Sequence, residues 1–261
     1  MSEIKIYVED ARRMDEAASL ARKMNLEVTT EEPELDDLVV KYTKNEVILT
    51  SDGLEMSGDF SRMVKRVERW QHELLVKACK LKDEGAAGKN AGKLPLLMDC
   101  TAGLGEDSLL LAASGFRVNC YERDAVIAAL LKDAVRRGKK IPECKEAAGR
   151  MQVFSEDSVD AMNALADKIE ELGDSSLAPD VIYLDPMFPG REKSALIKKK
   201  FQLIHMLEKP AADEEEMLSA AMRLHPKKIV IKRPPKGPYL AGKKPGFSFS
   251  SKAVRFDCIV L

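Results

Sequence analysis

Residues 181–188 read VIYLDPMF: an apolar run that closes on an acid, a proline and an aromatic ring. The run has the character of a buried strand, which aims Asp185 out of its carboxyl end. These residue types suit one chemistry. An exocyclic amine on a nucleobase is a weak nucleophile, because its lone pair is delocalised into the ring. The Asp185 carboxylate and the Pro186 carbonyl can accept its N–H bonds and hold the lone pair towards an electrophile. Phe188 can stack on the base, a contact worth about 1–3 kcal/mol per base in single-strand binders. The plainer alternative is a strand-to-loop turn with Pro186 as its breaker.

Three earlier strand ends carry polar groups as well. DCTAGLGEDS, residues 99–108, is a glycine-rich turn in which Asp99, Gly103 and Gly105 are candidate ligand contacts. The helix after it begins with Glu106 and Asp107. A dinucleotide phosphate sits on such a helix N-terminus, and these carboxylates repel it. A ligand with a cationic centre and no phosphate fits better, and S-adenosylmethionine is one. The next strand ends in CYERD, which places Glu122 where an acid accepts bonds from ribose hydroxyls. Alternatively Glu122 is an ordinary strand-end acid beside a helix cap at Asp124. SEDS, residues 155–158, ends the third strand and offers Asp157 and Ser158 to an adenine ring. Each signal alone is a loop; four in order at successive strand ends favour a single site.

The elements that must position these residues alternate strand and helix from Leu94 onward, which predicts a doubly wound, mostly parallel sheet. The last two strand patterns, KKIVIKRP and AVRFDCIVL, are joined by a loop without a helical pattern and are expected to pair antiparallel at one edge. AVIAALLKDAVRRG reads as a helix ended by its glycine. Residues 1–83 read as a small α/β accessory region followed by a charged helix from about Ser61. Residues 84–93, rich in Gly, Ala and Lys, read as a linker, and 94–261 as the main domain. No internal repeat is visible.

The chain has 261 residues, 45% of them hydrophobic and 33% charged, as expected of a globular protein with a substantial core. It has no apolar stretch of the roughly 20 residues that span a bilayer, and its N-terminus lacks a secretory pattern. Five scattered cysteines without CxxC spacing and three distant histidines predict no disulfide, no metal and a cytoplasmic location. Net charge is −1, yet residues 191–261 carry sixteen Lys/Arg against seven Asp/Glu. That asymmetry suits an anionic partner, or else a solvated basic face.

DCTAGLGEDS, YERDAVIAALL, VIYLDPMFPGREKSALIKKKFQ and KKIVIKRPPKGPYLAG together resemble the small-subunit ribosomal RNA guanine-N2 methyltransferase family. The resemblance covers residues 94–261 well and the N-terminal part loosely. It implies a Rossmann-like class I methyltransferase sheet, S-adenosylmethionine as cofactor, no metal, and a guanine of 16S ribosomal RNA, free or in the small subunit, as acceptor. It carries cofactor contacts onto Glu106, Asp107, Glu122, Arg123, Asp157, Ser158 and Asp185. Where the family has a Gly-rich stretch before the linker, this chain has Trp70, Gln71 and His72 in a pattern that predicts continuous helix.

On that reading Arg191, Lys193, Lys232 and Arg233 contact RNA phosphates, with Lys198 to Lys200 either assisting or forming a solvated helix face. Tyr239, Phe247 and Phe249 suit looped RNA, or else pack on one another in a hairpin. The alternatives in function are an N6-adenine or other amino methyltransferase, a non-catalytic RNA-binding protein of the same fold and, less favoured, a protein-glutamine methyltransferase or a nicotinamide-dependent dehydrogenase.

Overall fold

The computed structural model describes residues 4–81, 93–186, 203 and 213–261. The N-terminal unit is a five-stranded sheet of order β2-β1-β3-β4-β5, built from β1 (Lys5–Val8), β2 (Val28–Thr29), β3 (Val39–Tyr42), β4 (Val47–Ser51) and β5 (Leu54–Met56). Helix α1 (Met14–Met24) buries Ala17, Leu20 and Ala21 and ends at Asn25, whose left-handed backbone lets its N–H reach the last carbonyls.

The charged segment expected as one helix from Ser61 is broken. A 3-10 turn (Phe60–Met63) leads into α2 (Val64–Glu68), then a second 3-10 turn (Trp70–His72) and α3 (Leu74–Cys79). The breaks fall at Arg69 and at Glu73, where ψ swings to 128°. Packing explains them: Phe60, Met63, Val67, Leu75, Ala78 and Cys79 all enter the core beside the larger sheet, and a straight helix cannot present all of them to it.

That larger sheet has seven strands in the order β11-β12-β10-β9-β6-β7-β8. Its strands are β6 (Leu96–Asp99), β7 (Arg117–Tyr121), β8 (Met151–Phe154), β9 (Val181–Leu184), β10 (Lys228–Arg233), β11 (Phe247–Ser250) and β12 (Arg255–Val260). The five strands from β8 to β10 are parallel, and β12 runs antiparallel to β10. The terminal pair is therefore antiparallel as expected, but β12 is not the edge: β11, from the connecting loop, pairs outside it. The helices are α4 (Glu106–Ala113), α5 (Ala125–Gly138), α6 (Lys145–Gly149), α7 (Ser158–Leu172) and α8 (Glu214–Arg223).

Strand parity divides the core into two layers. Leu97, Tyr183 and Val230 face α4 and the 60–79 segment; Met98, Ile182, Leu184, Ile229 and Ile231 face α7 and α8. Gly138 does not provide a left-handed helix end; it closes α5 against Phe60, whose ring would lie 2.6 Å from an added Cβ.

One buried charge cluster joins the two units. Asp133 of α5, 2% exposed, accepts from Arg13 (3.0 Å), Arg136 (2.6 Å), Arg137 (2.8 Å) and the backbone N–H of Val47 (3.0 Å). Burial pushes its pKa up, but those donors outweigh burial and hold it below the usual carboxylate value.

Candidate active site

In an open parallel sheet the crevice opens at the carboxyl ends of the strands, where the strand order reverses. Here the reversal lies between β6 and β9, and the singled-out residues converge on it.

The glycine turn follows β6. Asp99, 1% exposed, accepts from Thr101 N–H at 3.1 Å and from the Ser108 hydroxyl at 2.5 Å, which ties the strand end to α4. Burial pushes its pKa up to about 7, against those two hydrogen bonds and with help from Asp107 and Asp185. Expected as a ligand contact, Asp99 instead braces the turn from within. Gly105 must be glycine: its φ is +79°, and a Cβ there would meet Leu131 Cδ1 at 2.3 Å. Gly103, also at positive φ, faces open space and donates its N–H to Glu122 Oε2 at 3.0 Å.

Glu122, at the end of β7, also accepts from Asp124 N–H at 2.8 Å, and Asp124 caps α5 through Val126 and Ile127. Burial raises the Glu122 pKa; the two backbone donors oppose it. Arg123 is half-buried beside it. After β8, Asp157 caps α7 through Val159 N–H at 2.8 Å, and the buried Ser158 hydroxyl faces the Cys100 thiol. Tyr121 and Phe154 stack at 4.8 Å between these acids.

A second group lies two strands away. Lys232 Nζ is 2.7 Å from Asp107 Oδ2 and 2.7 Å from Asp185 Oδ2. Register explains the meeting: Ile231 of β10 pairs with Leu184 of β9, so one step further brings Lys232 beside Asp185. Burial lowers the Lys232 pKa, but the two carboxylates win and push it up to about 12. Tyr183 donates its hydroxyl to Asp107 at 2.7 Å, and Asp185 N–H donates to Thr101 Oγ1 at 2.7 Å. Neither Tyr183 nor Thr101 was singled out from the sequence. The one signal was a hydroxyl inside an otherwise apolar strand, and a threonine inside the glycine turn.

Two expected phosphate contacts are placed otherwise. Lys232 is bound into the acid pair rather than offered to solvent. Arg233 points to the opposite face, 1% exposed, where it donates to the Pro238 carbonyl and pairs with Glu214 at 2.9 Å. Glu106 is exposed and Pro186 half-buried. Phe188, Arg191, Lys193 and Lys198 to Lys200 lie outside the described residues. Phe247 and Phe249 pack edge-to-face at 5.7 Å, and Tyr239 lies under Arg255 at 5.0 Å, so the hairpin does pack its own aromatics.

Beside Asp107 and Lys232 opens a cleft of about 670 Å³, walled by Arg66, Arg69, Leu74 and Phe256. Among the described residues no His, Cys, Asp and Glu cluster is arranged to hold a metal, and no helix is long and apolar enough to cross a membrane.

The described residues fit S-adenosylmethionine. Each carboxylate oxygen of Glu122 has one backbone donor and keeps acceptor capacity for hydroxyls, space is open in front of Gly103, and the acids around the turn favour a cationic ligand.

Residues 19–261 match a family described as "Putative SAM-dependent methyltransferase". The ribosomal RNA small subunit methyltransferase J of Pseudomonas aeruginosa is 41% identical over 172 residues, 66% of this chain and 62% of that protein. Its namesake in Aeromonas salmonicida is 39% identical over 177 residues, 67% of each chain. The match thus spans about six-tenths of the length of the Pseudomonas relative. A crystal structure of a SAM-dependent methyltransferase from Neisseria gonorrhoeae superposes with a TM-score of 0.69 at 28% identity, covering 98% of this chain and 95% of that one.

Proposed function

Because the chain belongs to the family of S-adenosylmethionine-dependent methyltransferases, we propose that it methylates the exocyclic N2 amino group of a guanine in 16S ribosomal RNA, as a cytoplasmic enzyme acting on the RNA or the small subunit. The observation that carries this reading is the position of Asp185: directly after β9, at the reversal of strand order, fixed by Thr101 through its backbone and by Lys232 through its carboxylate. The names of the relatives support the choice of RNA.

When bound, S-adenosylmethionine supplies the electrophilic methyl group, held by Glu122, the Gly103–Gly105 turn, Asp157 and Ser158. Asp185 and the Pro186 carbonyl accept the N–H bonds of the guanine amine and orient its lone pair. The Asp185 carboxylate stabilises the positive charge that develops on that nitrogen. Phe188 stacks on the base. Lys232 holds the Asp185 carboxylate in place through their 2.7 Å ion pair. Residues 94–261 form the methyltransferase domain in this reading, with 1–83 as accessory unit and 84–93 as linker.

The test is transfer from labelled S-adenosylmethionine to unmodified 16S RNA and to small subunits, with the product nucleoside identified by mass spectrometry. N2-methylguanosine is expected. Methyladenosine overturns the base assignment while keeping the amine chemistry. Cofactor binding without transfer to either substrate overturns the RNA reading.

A further inference from the structure

We propose that the cleft between the helical turns at 64–75 and strand β12 is the channel through which single-stranded or looped RNA reaches Asp185, with Lys65, Arg69 and His72 receiving its phosphates. The inference rests on the RNA methyltransferase reading and adds to it the path and the residues of the acceptor side.

Position is the first argument. Glu122 and the Gly103 N–H meet at the ends of β7 and β6, whereas the floor of the cleft is the pair of Asp107, in the first turn of α4, and Lys232 of β10; Glu106 and Asp107, expected as cofactor contacts, line this cleft instead. Lys232 also holds Asp185 at 2.7 Å, so the cleft leads directly to the proposed reacting amine.

Charge is the second. Arg66 is engaged by Glu73 through two bonds of 2.9 and 2.8 Å, and Lys232 by its two carboxylates. Lys65, Arg69 and His72 line the same cleft, are exposed, and have no ion-pair partner among the described residues. Their spacing of three and four places them on one side of the segment despite the break at Arg69. Against them stands the exposed Glu106. An entrance with surplus cations, above a floor where one ammonium meets two carboxylates, fits a polyanion held by its backbone at the rim while a base with N–H donors reaches the floor.

Size and lining are the third. A volume of about 670 Å³ falls within the range of roughly 300–1,000 Å³ typical of ligand clefts and accommodates a nucleotide. Half-buried Leu74 and Val254 give the walls an apolar surface for a base. This also gives a role to the Trp70–His72 turn, where the chain departs from its family pattern.

The test is the double variant Lys65→Glu, Arg69→Glu in the full chain, measured for affinity to unmodified 16S RNA across a salt series, for S-adenosylmethionine affinity by calorimetry, and for thermal melting. RNA affinity should fall at least about tenfold, and the slope of log K against log salt should become shallower by roughly 1.4, since each single-strand phosphate contact contributes about 0.7. Cofactor affinity and melting should not change. The charge-keeping variant Lys65→Arg, Arg69→Lys should retain RNA affinity. Should the double variant fail to fold, the single alanine variants are each expected to flatten the slope by about 0.7. Unchanged affinity and slope in variants of an enzyme that does methylate RNA would overturn the channel and leave the function standing. A wild-type chain that binds cofactor but neither binds nor methylates RNA overturns both.

Discussion

Asp133 and Lys232 each hold the centre of a charge cluster, and the two clusters carry opposite surpluses. Around Asp133 a single carboxylate meets three guanidiniums, and its side chain is 1% exposed. The extra cations do not reach for a ligand: Arg13 also donates to the Thr43 carbonyl and Glu16, Arg136 to the Asn45 carbonyl, and Arg137 to the Gly58 carbonyl. Around Lys232 a single ammonium meets two carboxylates, and the side chains of Lys232, Asp107 and Asp185 remain 21%, 23% and 33% exposed. The first cluster is closed and joins two units. The second sits at the strand ends with surplus negative charge and access to solvent, which suits an incoming N–H donor. The same kind of interaction makes a joint in one place and a site in the other, and the difference lies in the surplus sign and the exposure.

The contrast can be broken most forcefully at Asp185. Asp185→Ala should lower kcat for methyl transfer at least about a thousandfold, roughly 4 kcal/mol in the barrier, while the melting temperature stays within a few degrees. Full activity in that variant would refute the assigned chemistry. Asp133→Ala should do the reverse. Three buried arginines lose their shared anion, so stability should fall by about 3–5 kcal/mol in urea titration, with transfer per folded molecule preserved. A loss below about 1 kcal/mol would show that the joint carries little.

Lys232→Met tests the second cluster from its cationic side. Asp107 and Asp185 then face each other without a counter-charge, so the pKa of Asp185 should rise and the acid limb of the pH–rate profile should move to higher pH. Activity at neutral pH should drop about 10- to 100-fold, with little effect on melting; an unmoved acid limb would argue against this positioning role. The last effect, on stability alone, concerns Asp99. Its folded pKa of about 7 lies above the ordinary aspartate value of 3.8, so the folded state holds a proton that the unfolded chain has released between those values. Stability should therefore fall as pH rises from about 4 to 7, by at most about 1.4 kcal/mol per pH unit, and Asp99→Asn should flatten that slope in urea midpoints measured across the range.

The parallel sheet was legible because its strands are continuous apolar runs and its helices have clear apolar stripes; β6 to β10 fall where those runs predict. Asp185, Glu122 and the glycine turn were legible because strand ends in this topology converge. What escaped is what parity and distance decide. Lys232 and Arg233 are neighbours in sequence, but successive strand residues point to opposite faces. One therefore joins the site and the other the core beside Glu214. The Asp133 joint brings together residues 120 and 86 positions apart, and nothing local announces it. The 60–79 segment has a helical charge pattern, but its apolar residues must meet a curved surface and the helix yields. Strand β11, FSFS, alternates too briefly to distinguish from loop.

Lys228 bears on how the acceptor side behaves in time. From the start of β10 its ammonium reaches the carbonyls of Ala78 and Lys80, at 3.0 and 2.5 Å, and so fastens the end of α3 to the sheet while Ala78 and Cys79 are completely buried. On the other side of the breaks, buried Met63 and Val67 fix the turn that carries Lys65 and Arg69, so both ends of the wall are preorganised. On the proposed reading, RNA arriving there need not wait for that wall to fold or close, so its capture should be governed by diffusion and electrostatic steering, a fast bimolecular step that slows steeply with ionic strength.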